Sequence, residues 1–249
     1  DFQPEQPFPT ALAVTVNSGG SETYRYVVTA TSAETAEESL RGTAPVAGTA
    51  ISAVTKADPG VVTTSGSHGL LNGDDVYISG VVGMTELNGQ VFKVSNKGTT
   101  TFELTDSTGT NVDTTNYTTY SSGGSVFPMF IKITNGHATA DNTISWTGVT
   151  GAESYTVYKE KNGLFGFIGR TENTDFDDKN IGAEVDDTPP RTRNPFVGTG
   201  NFPSTVGYHE QRKLFGNSDT YTQRVWMTQT AHFTNLAVSS PTRDDDAIT

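Results

Sequence analysis

Residues 153–171, ESYTVYKEKNGLFGFIGRT, are two runs of alternating apolar and polar residues on either side of Lys161-Asn162-Gly163. Alternation with a period of two is typical of β-strands, and Asn-Gly is a hairpin turn pair because glycine accepts a positive φ. The stretch therefore predicts a β-hairpin. Five side chains are expected to be buried around it: Trp146, Tyr155, Val157, Phe167 and Ile168.

Similar strand patterns flank this hairpin. NTISWTGV at 142–149 precedes it and TDFDD at 174–178 follows it. Two more strands are predicted near the start of the chain, at 11–16 and 23–31, with NSGGS at 17–21 as the turn between them. The chain therefore holds strands of one type in two separated regions.

The composition agrees with a nearly pure β protein. The chain has 249 residues, of which 33% are hydrophobic, with 26 Gly and 11 Pro. Glycine and proline punctuate turns, and the abundant Thr, Val and Tyr fit a pleated, half-buried surface. The length allows two or three domains.

Net charge narrows the range of functions. The formal charge is -12, which disfavours an electrostatic grip on nucleic acid because phosphate binding depends on Lys and Arg. A negative electrostatic field around the protein is compatible with a surface that DNA passes without specific binding. It is equally compatible with ordinary solubility.

The absence of cysteine removes disulfides, thiolate metal sites and cysteine nucleophiles from consideration. No run approaches the ~18 apolar residues of a membrane span, and residues 1–9 lack the features of a signal peptide. We predict no enzyme activity, no catalytic residue, no cofactor and no metal.

The strand patterns resemble a fibronectin type III domain. The resemblance lies in SW at 145–146, in the hairpin at 153–171, in TDFDD at 174–178, and in YRYVVTA followed by EES at 24–39. In that family the YRYVVTA-like strand comes late, whereas here it comes first. The resemblance implies a circularly permuted sandwich of residues 10–50 and 128–190, in which 23–31 pairs beside 154–160.

A different module occupies residues 51–127. It holds a His-Gly-Leu turn at 68–70, GDDVYI at 73–78, MTELNG at 84–89 and TFEL at 101–104. These features resemble the small β-barrel of the first catalytic-cysteine half-domain of ubiquitin-activating enzymes, a module that also occurs in phage structural proteins. The resemblance implies the fold alone, because this chain has no cysteine. Val76, Ile78 and Leu87 are predicted to fill the barrel.

The last part of the chain, 191–249, contains three recognisable elements in order. They are FPSTVGYHEQRKLFGN at 202–217, QRVWMTQTAHFTN at 223–235 and PTRDDDAIT at 241–249. Together they resemble the tail nozzle or tail-hub proteins of short-tailed bacteriophages. The resemblance implies a virion protein that forms a homo-oligomeric ring, attaches to a tail adaptor and other tail proteins, and lines part of the DNA-ejection conduit. We expect this chain to be a fragment that ends at the start of a β-rich platform, with residues 1–9 as an N-terminal tail.

Charged residues near the end are candidates for a subunit interface. Asp244, Asp245 and Asp246 form an acidic run that can pair with arginine of a neighbouring subunit, since Arg–carboxylate pairs are strong and directional. Arg212 and Arg224 are the candidate arginines. The alternative is that these aspartates form a solvent-exposed segment before a strand and have no binding role.

A second function class is a carbohydrate-binding or host-adhesion module of a phage or bacterial surface protein. Glycan recognition would use exposed aromatic rings, and Tyr77, Tyr117 and Tyr120 are the rings available on the inserted module. Tyr221 and Trp226 could form a similar platform, but a core role for Trp226 is the preferred interpretation, and Trp146 is assigned to the sandwich core.

Other residues are weak site candidates. Asp175, Asp177 and Asp178 could bind calcium through their carboxylates, as could Asp186 and Asp187, but the spacing of a known calcium loop is missing. His68 could act as a base beside Ser65 or Ser67, yet no nucleophile elbow is present, so a turn-stabilising role is expected. His209 and His232 have no metal-ligand spacing.

Overall fold

A computed structural model describes residues 6–34, 37–43, 48–190, 196, 200–233, 236, 238 and 244–248. Across these residues the secondary structure is strands and one short 3-10 turn, so the all-β prediction is confirmed. None of the described residues belongs to a helix long and apolar enough to cross a membrane. The chain divides into two compact units, one mainly from 14–42 and 132–249 and the other mainly from 43–131.

The described residues form sixteen strands, in chain order: β1 (Thr10–Val16), β2 (Gly19–Ser32), β3 (Thr49–Val54), β4 (Val61–Thr64), β5 (Asp75–Val82), β6 (Gln90–Ser95), β7 (Thr101–Thr105), β8 (Ser122–Pro128), β9 (Ile131–Gly136), β10 (Asn142–Thr147), β11 (Ala152–Lys161), β12 (Leu164–Thr171), β13 (Asp175–Asp178), β14 (Thr205–His209), β15 (Arg212–Gly216) and β16 (Val225–Met227). The 3-10 turn, Thr85–Leu87, lies between β5 and β6.

A sandwich is formed by a three-stranded sheet, β1-β10-β13, and a four-stranded sheet, β12-β11-β2-β9. The predicted pairing of 23–31 beside 154–160 is observed, with β2 antiparallel to β11 from Thr31 opposite Ser154 to Tyr26 opposite Lys159. A strand from early in the chain thus lies between two strands from late in the chain, which is the order that circular permutation requires.

The predicted hairpin is β11 and β12, with Asn162 and Gly163 at φ 54° and 83° in the turn. Four of the five predicted core residues are buried, but Phe167 is only half-buried. The pairing passes from Val157–Gly169 to Tyr158–Phe167 and leaves Ile168 as an extra residue in β12. Because this irregularity shifts the alternation, Phe167 lies opposite Tyr158 on the other face of the sheet.

β2 starts earlier than predicted, at Gly19, so the turn from β1 is limited to Asn17 and Ser18. Gly20 explains the difference. A Cβ on Gly20 would lie 2.4 Å from the Gly136 carbonyl oxygen in β9, so this glycine serves a close strand contact rather than a turn.

The second unit contains a closed barrel with the strand order β3-β4-β7-β6-β5-β8. Its first and last strands are neighbours, with Thr49 opposite Val126 and Ala50 opposite Ser125. Val76, Ile78 and Leu87 are completely buried, as predicted for the barrel core.

A third sheet, β14-β15-β16, lies in the C-terminal part of the first unit. β15 lies within the sequence element at 202–217 and β16 within the element at 223–235. β14 and β15 form an antiparallel hairpin, and Phe215 of β15 lies between Val206 of β14 and Trp226 of β16 in the register.

Candidate functional site

The C-terminal sheet packs on an apolar core of its own. Phe215 and Trp226 are 6% and 1% exposed, and the Phe196 ring meets both edge to face, with centroids 5.3 and 5.1 Å away. Trp226 is thus a core residue, as preferred from the sequence, and its ring face is covered. The remaining members of this cluster are Leu236, Ala247 and Val238.

Arg212 holds the C-terminal elements together from inside. Its guanidinium donates to the main-chain carbonyls of Thr228 at 2.7 Å, Asp246 at 2.6 Å and Asp244 at 3.0 Å. The residue is only 8% exposed. Carbonyl groups in a buried loop need donors, so these bonds give the predicted interface arginine an intramolecular role.

The three aspartates at 244–246 are not equivalent. Asp244 and Asp245 are exposed, whereas Asp246 is 2% exposed and accepts a bond from the Gln229 amide at 3.4 Å. Two carboxylates of the predicted interface run therefore face outward, and one lies inside this chain.

Arg224 remains available at the surface. The residue is exposed, and its guanidinium carbon lies 4.1 Å from the centre of the Tyr221 ring. Tyr221 in turn meets the Trp226 ring at 6.3 Å. Stacking on an aromatic face orients a guanidinium without using its hydrogen-bond donors. Arg224 is therefore suited to bind a carboxylate of a partner.

Exposed apolar side chains are concentrated in the C-terminal part. Among the described residues, four large apolar side chains that are at least 36% exposed lie before position 182: Leu71, Val82, Leu164 and Ile181. Seven lie at 202–248: Phe202, Val206, Tyr208, Tyr221, Val225, Phe233 and Ile248. Contiguous exposed apolar side chains mark interaction surfaces, and of these seven the Tyr208 and Phe233 rings are in contact.

The three candidate glycan-facing tyrosines are half-buried in the barrel unit. Tyr77 lies against Phe127, and the Tyr120 hydroxyl donates to the carbonyls of Ile51 and Gly123 at 3.1 and 3.0 Å. Burial raises the pKa of Tyr117. These contacts give the tyrosines structural roles, and their role toward glycans stays a prediction.

The acidic run at 175–178 is divided by the strand. Asp175 is exposed, Asp177 accepts a bond from the Thr143 hydroxyl at 2.6 Å, and Asp178 is buried beside Lys159. Successive side chains of a strand point to opposite faces, so the Asp178 carboxylate points away from those of Asp175 and Asp177. Among the described residues no cluster of three or more His, Asp or Glu suits a metal ion.

His68 stabilises a turn. Its Nδ1 accepts the Leu70 amide at 3.1 Å, and its Nε2 lies 3.3 Å from the Thr101 carbonyl. Ser65 and Ser67 are exposed. Both ring nitrogens are engaged with the main chain, which is the role expected from the sequence.

The other two candidate histidines lie beside acidic residues. His209 is exposed next to Glu210 at 3.6 Å, and His232 Nδ1 lies 3.4 Å from a carboxylate oxygen of Glu37, which is buried. The second contact joins the C-terminal part to the segment that follows β2.

A buried polar network between the two sandwich sheets was not predicted. Asp178 accepts bonds from Lys159 Nζ and the Tyr26 hydroxyl, both at 2.9 Å, and from the Ile181 amide at 2.8 Å. Asn142 donates to the Tyr26 hydroxyl at 2.9 Å. Burial raises the pKa of Tyr26, and the Asp178 charge adds to this effect. The one sequence signal is that Lys159 follows the core residues 155 and 157 with the period of a strand.

A second unpredicted hydrogen-bonded cluster lies on the outer face of the four-stranded sheet. The Glu38 carboxylate accepts hydrogen bonds from the Thr29 and Tyr158 hydroxyls. Burial raises the pKa of Glu38, the two bonds lower it, and the charge of Asp187 raises it further. Asp187 is half-buried, while its neighbour Asp186 is exposed.

Comparison with known proteins concerns the barrel. Residues 57–128 match the family model of the ubiquitin-activating enzyme E1 FCCH domain, which spans β4 to β8. The chain is also similar to the ubiquitin-like modifier-activating enzyme 1 of Oryctolagus cuniculus, with 43% identity over 81 residues. The similar region is 31% of this chain and 7% of that enzyme. The predicted resemblance of the inserted module to this half-domain is therefore confirmed.

Proposed function

We propose that this chain is a non-enzymatic structural part of a phage virion, from a tail nozzle or hub protein that forms part of the DNA-ejection conduit. The similarity of the barrel to an activating enzyme is taken to indicate a shared fold only. The cysteine chemistry of such enzymes needs a thiolate, and this chain contains no cysteine. The sandwich and the barrel are decoration domains in this proposal.

One observation carries the proposal. The three sequence elements that resemble the phage family are 202–217, 223–235 and 241–249, and the single side chain of Arg212 joins them. Arg212 belongs to the first element, Thr228 to the second, and Asp244 and Asp246 to the third. The three elements are therefore parts of one structural unit in this chain, which supports treating them as a single motif.

The charge of the chain is consistent with a conduit. A net charge of -12 repels the DNA backbone, so DNA passes such a surface without specific binding. The remaining partners in this proposal are further copies of the protein in a ring, a tail adaptor and other tail proteins.

The proposal is tested on purified particles. Virions of the phage that encodes this sequence are separated on a density gradient, and peptides are quantified by mass spectrometry against the major capsid protein. We expect a low, fixed copy number and labelling at the tail by antibodies raised against this chain. Absence of the protein from intact particles, or its release as a free secreted monomer, contradicts the proposal.

A further inference from the structure

β14 is the open edge of the C-terminal sheet. Of the strands that the structure describes, it pairs only with β15, and each of its residues except Gly207 is exposed. The opposite edge is covered, because Met227 of β16 exchanges two main-chain hydrogen bonds with Ile248 at 2.8 and 3.0 Å. An unpaired edge strand offers free backbone groups to another chain, and β14 has no Lys or Pro that would oppose such pairing.

The apolar face of the sheet continues onto this edge, where the Lys213 Nζ lies 5.9 Å from the centre of the Tyr208 ring. Val206 lies directly opposite Phe215 in the register, so the two side chains share a face. Phe215 is 6% exposed, but Val206 and Tyr208 are 64% and 69% exposed. Phe233 packs edge to face on Tyr208 at 5.6 Å and is itself 45% exposed. We call Val206, Tyr208 and Phe233 the β14 surface.

Charges of opposite sign lie at the two ends of this sheet. Arg224 precedes Val225, which pairs with Gly216 at one end. At the other end, the Asp245 carbonyl accepts the Thr230 amide, close to the hairpin between β14 and β15. Asp244 and Asp245 are exposed there. A five-residue strand spans about 17 Å, so the two charged ends are distinct patches.

A second copy of the chain matches both features. Residues 203–248, which include the acidic patch, carry four cations and five anions in a chain of net charge -12, so this part carries little of the charge that opposes association between copies. One chain supplies both the arginine patch and the acidic patch. Two different patches that complement each other make a head-to-tail contact, which builds a ring when the rotation between neighbouring copies closes.

We propose that a second copy of this chain packs on the β14 surface, with Arg224 of one copy against Asp244 and Asp245 of the next. This inference rests on the proposed function and specifies the contact that builds the ring. Burial of Val206, Tyr208 and Phe233 supplies the apolar centre, and the charged patches set the direction.

The test is sedimentation velocity of the purified chain over a concentration series. The double variant Val206→Thr/Tyr208→Ser is expected to weaken self-association at least about tenfold, because it removes exposed apolar centres of the contact. Leu164→Ser is the matched control, since Leu164 is also exposed but lies in the hairpin of the sandwich. Circular dichroism verifies that each variant is folded.

Charge reversal tests the direction of the contact. Arg224→Glu and Asp245→Arg are each expected to weaken association at least about tenfold, and the double reversal to restore most of it. A chain that is monomeric at every concentration, association that is insensitive to the β14 substitutions, or failure of the double reversal to restore affinity overturns the inference. If the monomeric chain is nevertheless found in virions, the proposed function stands and only this contact is refuted.

Discussion

At the scale of single residues, the sandwich depends on a charge pair between its sheets. Lys159 lies in the four-stranded sheet and Asp178 in the three-stranded sheet, and they are 7% and 0% exposed. Loss of water around both charges is costly and is offset by the hydrogen bonds to Asp178 from Lys159 and from the Tyr26 hydroxyl. We expect this pair to favour one arrangement of the two sheets over alternatives with a slipped register.

Lys159→Met is expected to lower the free energy of unfolding by about 3–5 kcal/mol, since Asp178 loses its partner while it stays buried. Urea unfolding followed by tryptophan fluorescence measures the change. Lys179→Met is the matched control, because Lys179 also pairs with an aspartate, Asp141 at 2.6 Å, but is 60% exposed. The control is expected to keep the wild-type midpoint. Equal midpoints for both variants would show that the buried pair has no special role.

Glu38 predicts a pH dependence of stability. Burial raises its pKa above the ordinary carboxyl value of 4.5, so the folded chain holds the proton more tightly than the unfolded chain does. The resulting stabilisation is complete below about pH 4.5 and is lost as the pH rises through the raised pKa. The glutamine of Glu38→Gln stays neutral at every pH. The unfolding free energy of the variant minus that of the wild type is therefore expected to increase from pH 4.5 to 8.

Urea titrations of both proteins at several pH values measure this difference. Parallel curves for wild type and variant would mean that Glu38 has the same pKa in the folded and unfolded chains.

At the scale of elements, the 3-10 turn between β5 and β6 contributes a side chain to the barrel core. Leu87 in this turn is completely buried. The loop that follows is fixed by Asn88, whose side chain exchanges two hydrogen bonds of 2.8 Å with the main chain of Val81 in β5. The turn is therefore a plug held by its own strand rather than a free connection.

Leu87→Ala is expected to destabilise the barrel by about 2–5 kcal/mol, because it leaves a cavity in a small core. Leu71→Ala serves as the control, since Leu71 is 46% exposed, and is expected to change stability by about 0.5 kcal/mol or less. Both tryptophans, Trp146 and Trp226, lie in the other compact unit. Hydrogen exchange of barrel amides is therefore the suitable measurement, and unchanged protection in Leu87→Ala would refute the plug.

At the scale of the whole molecule, some features follow from local pattern and others do not. Alternation and Asn-Gly chemistry predicted the hairpin, and the likeness to a known sandwich predicted the pairing of β2 with β11 across more than a hundred residues. The extra residue at Ile168 could not be predicted, because a bulge depends on the partner strand. Nor could the internal role of Arg212, since its carbonyl partners come together only after folding. Polar contacts between residues far apart in sequence cannot be recognised from the periodic pattern of apolar and polar residues.

The adjacency of β3 and β8 has a consequence for how this architecture evolves. Because the barrel starts and finishes on hydrogen-bonded neighbours, its two junctions with the rest of the chain lie close together, as the two ends of a surface loop do. A closed barrel also has no unpaired edge strand that would be exposed when the module is inserted into another protein. Recombination can therefore exchange, delete or acquire the whole module in one step, and related genes of differing length are expected to vary at these junctions.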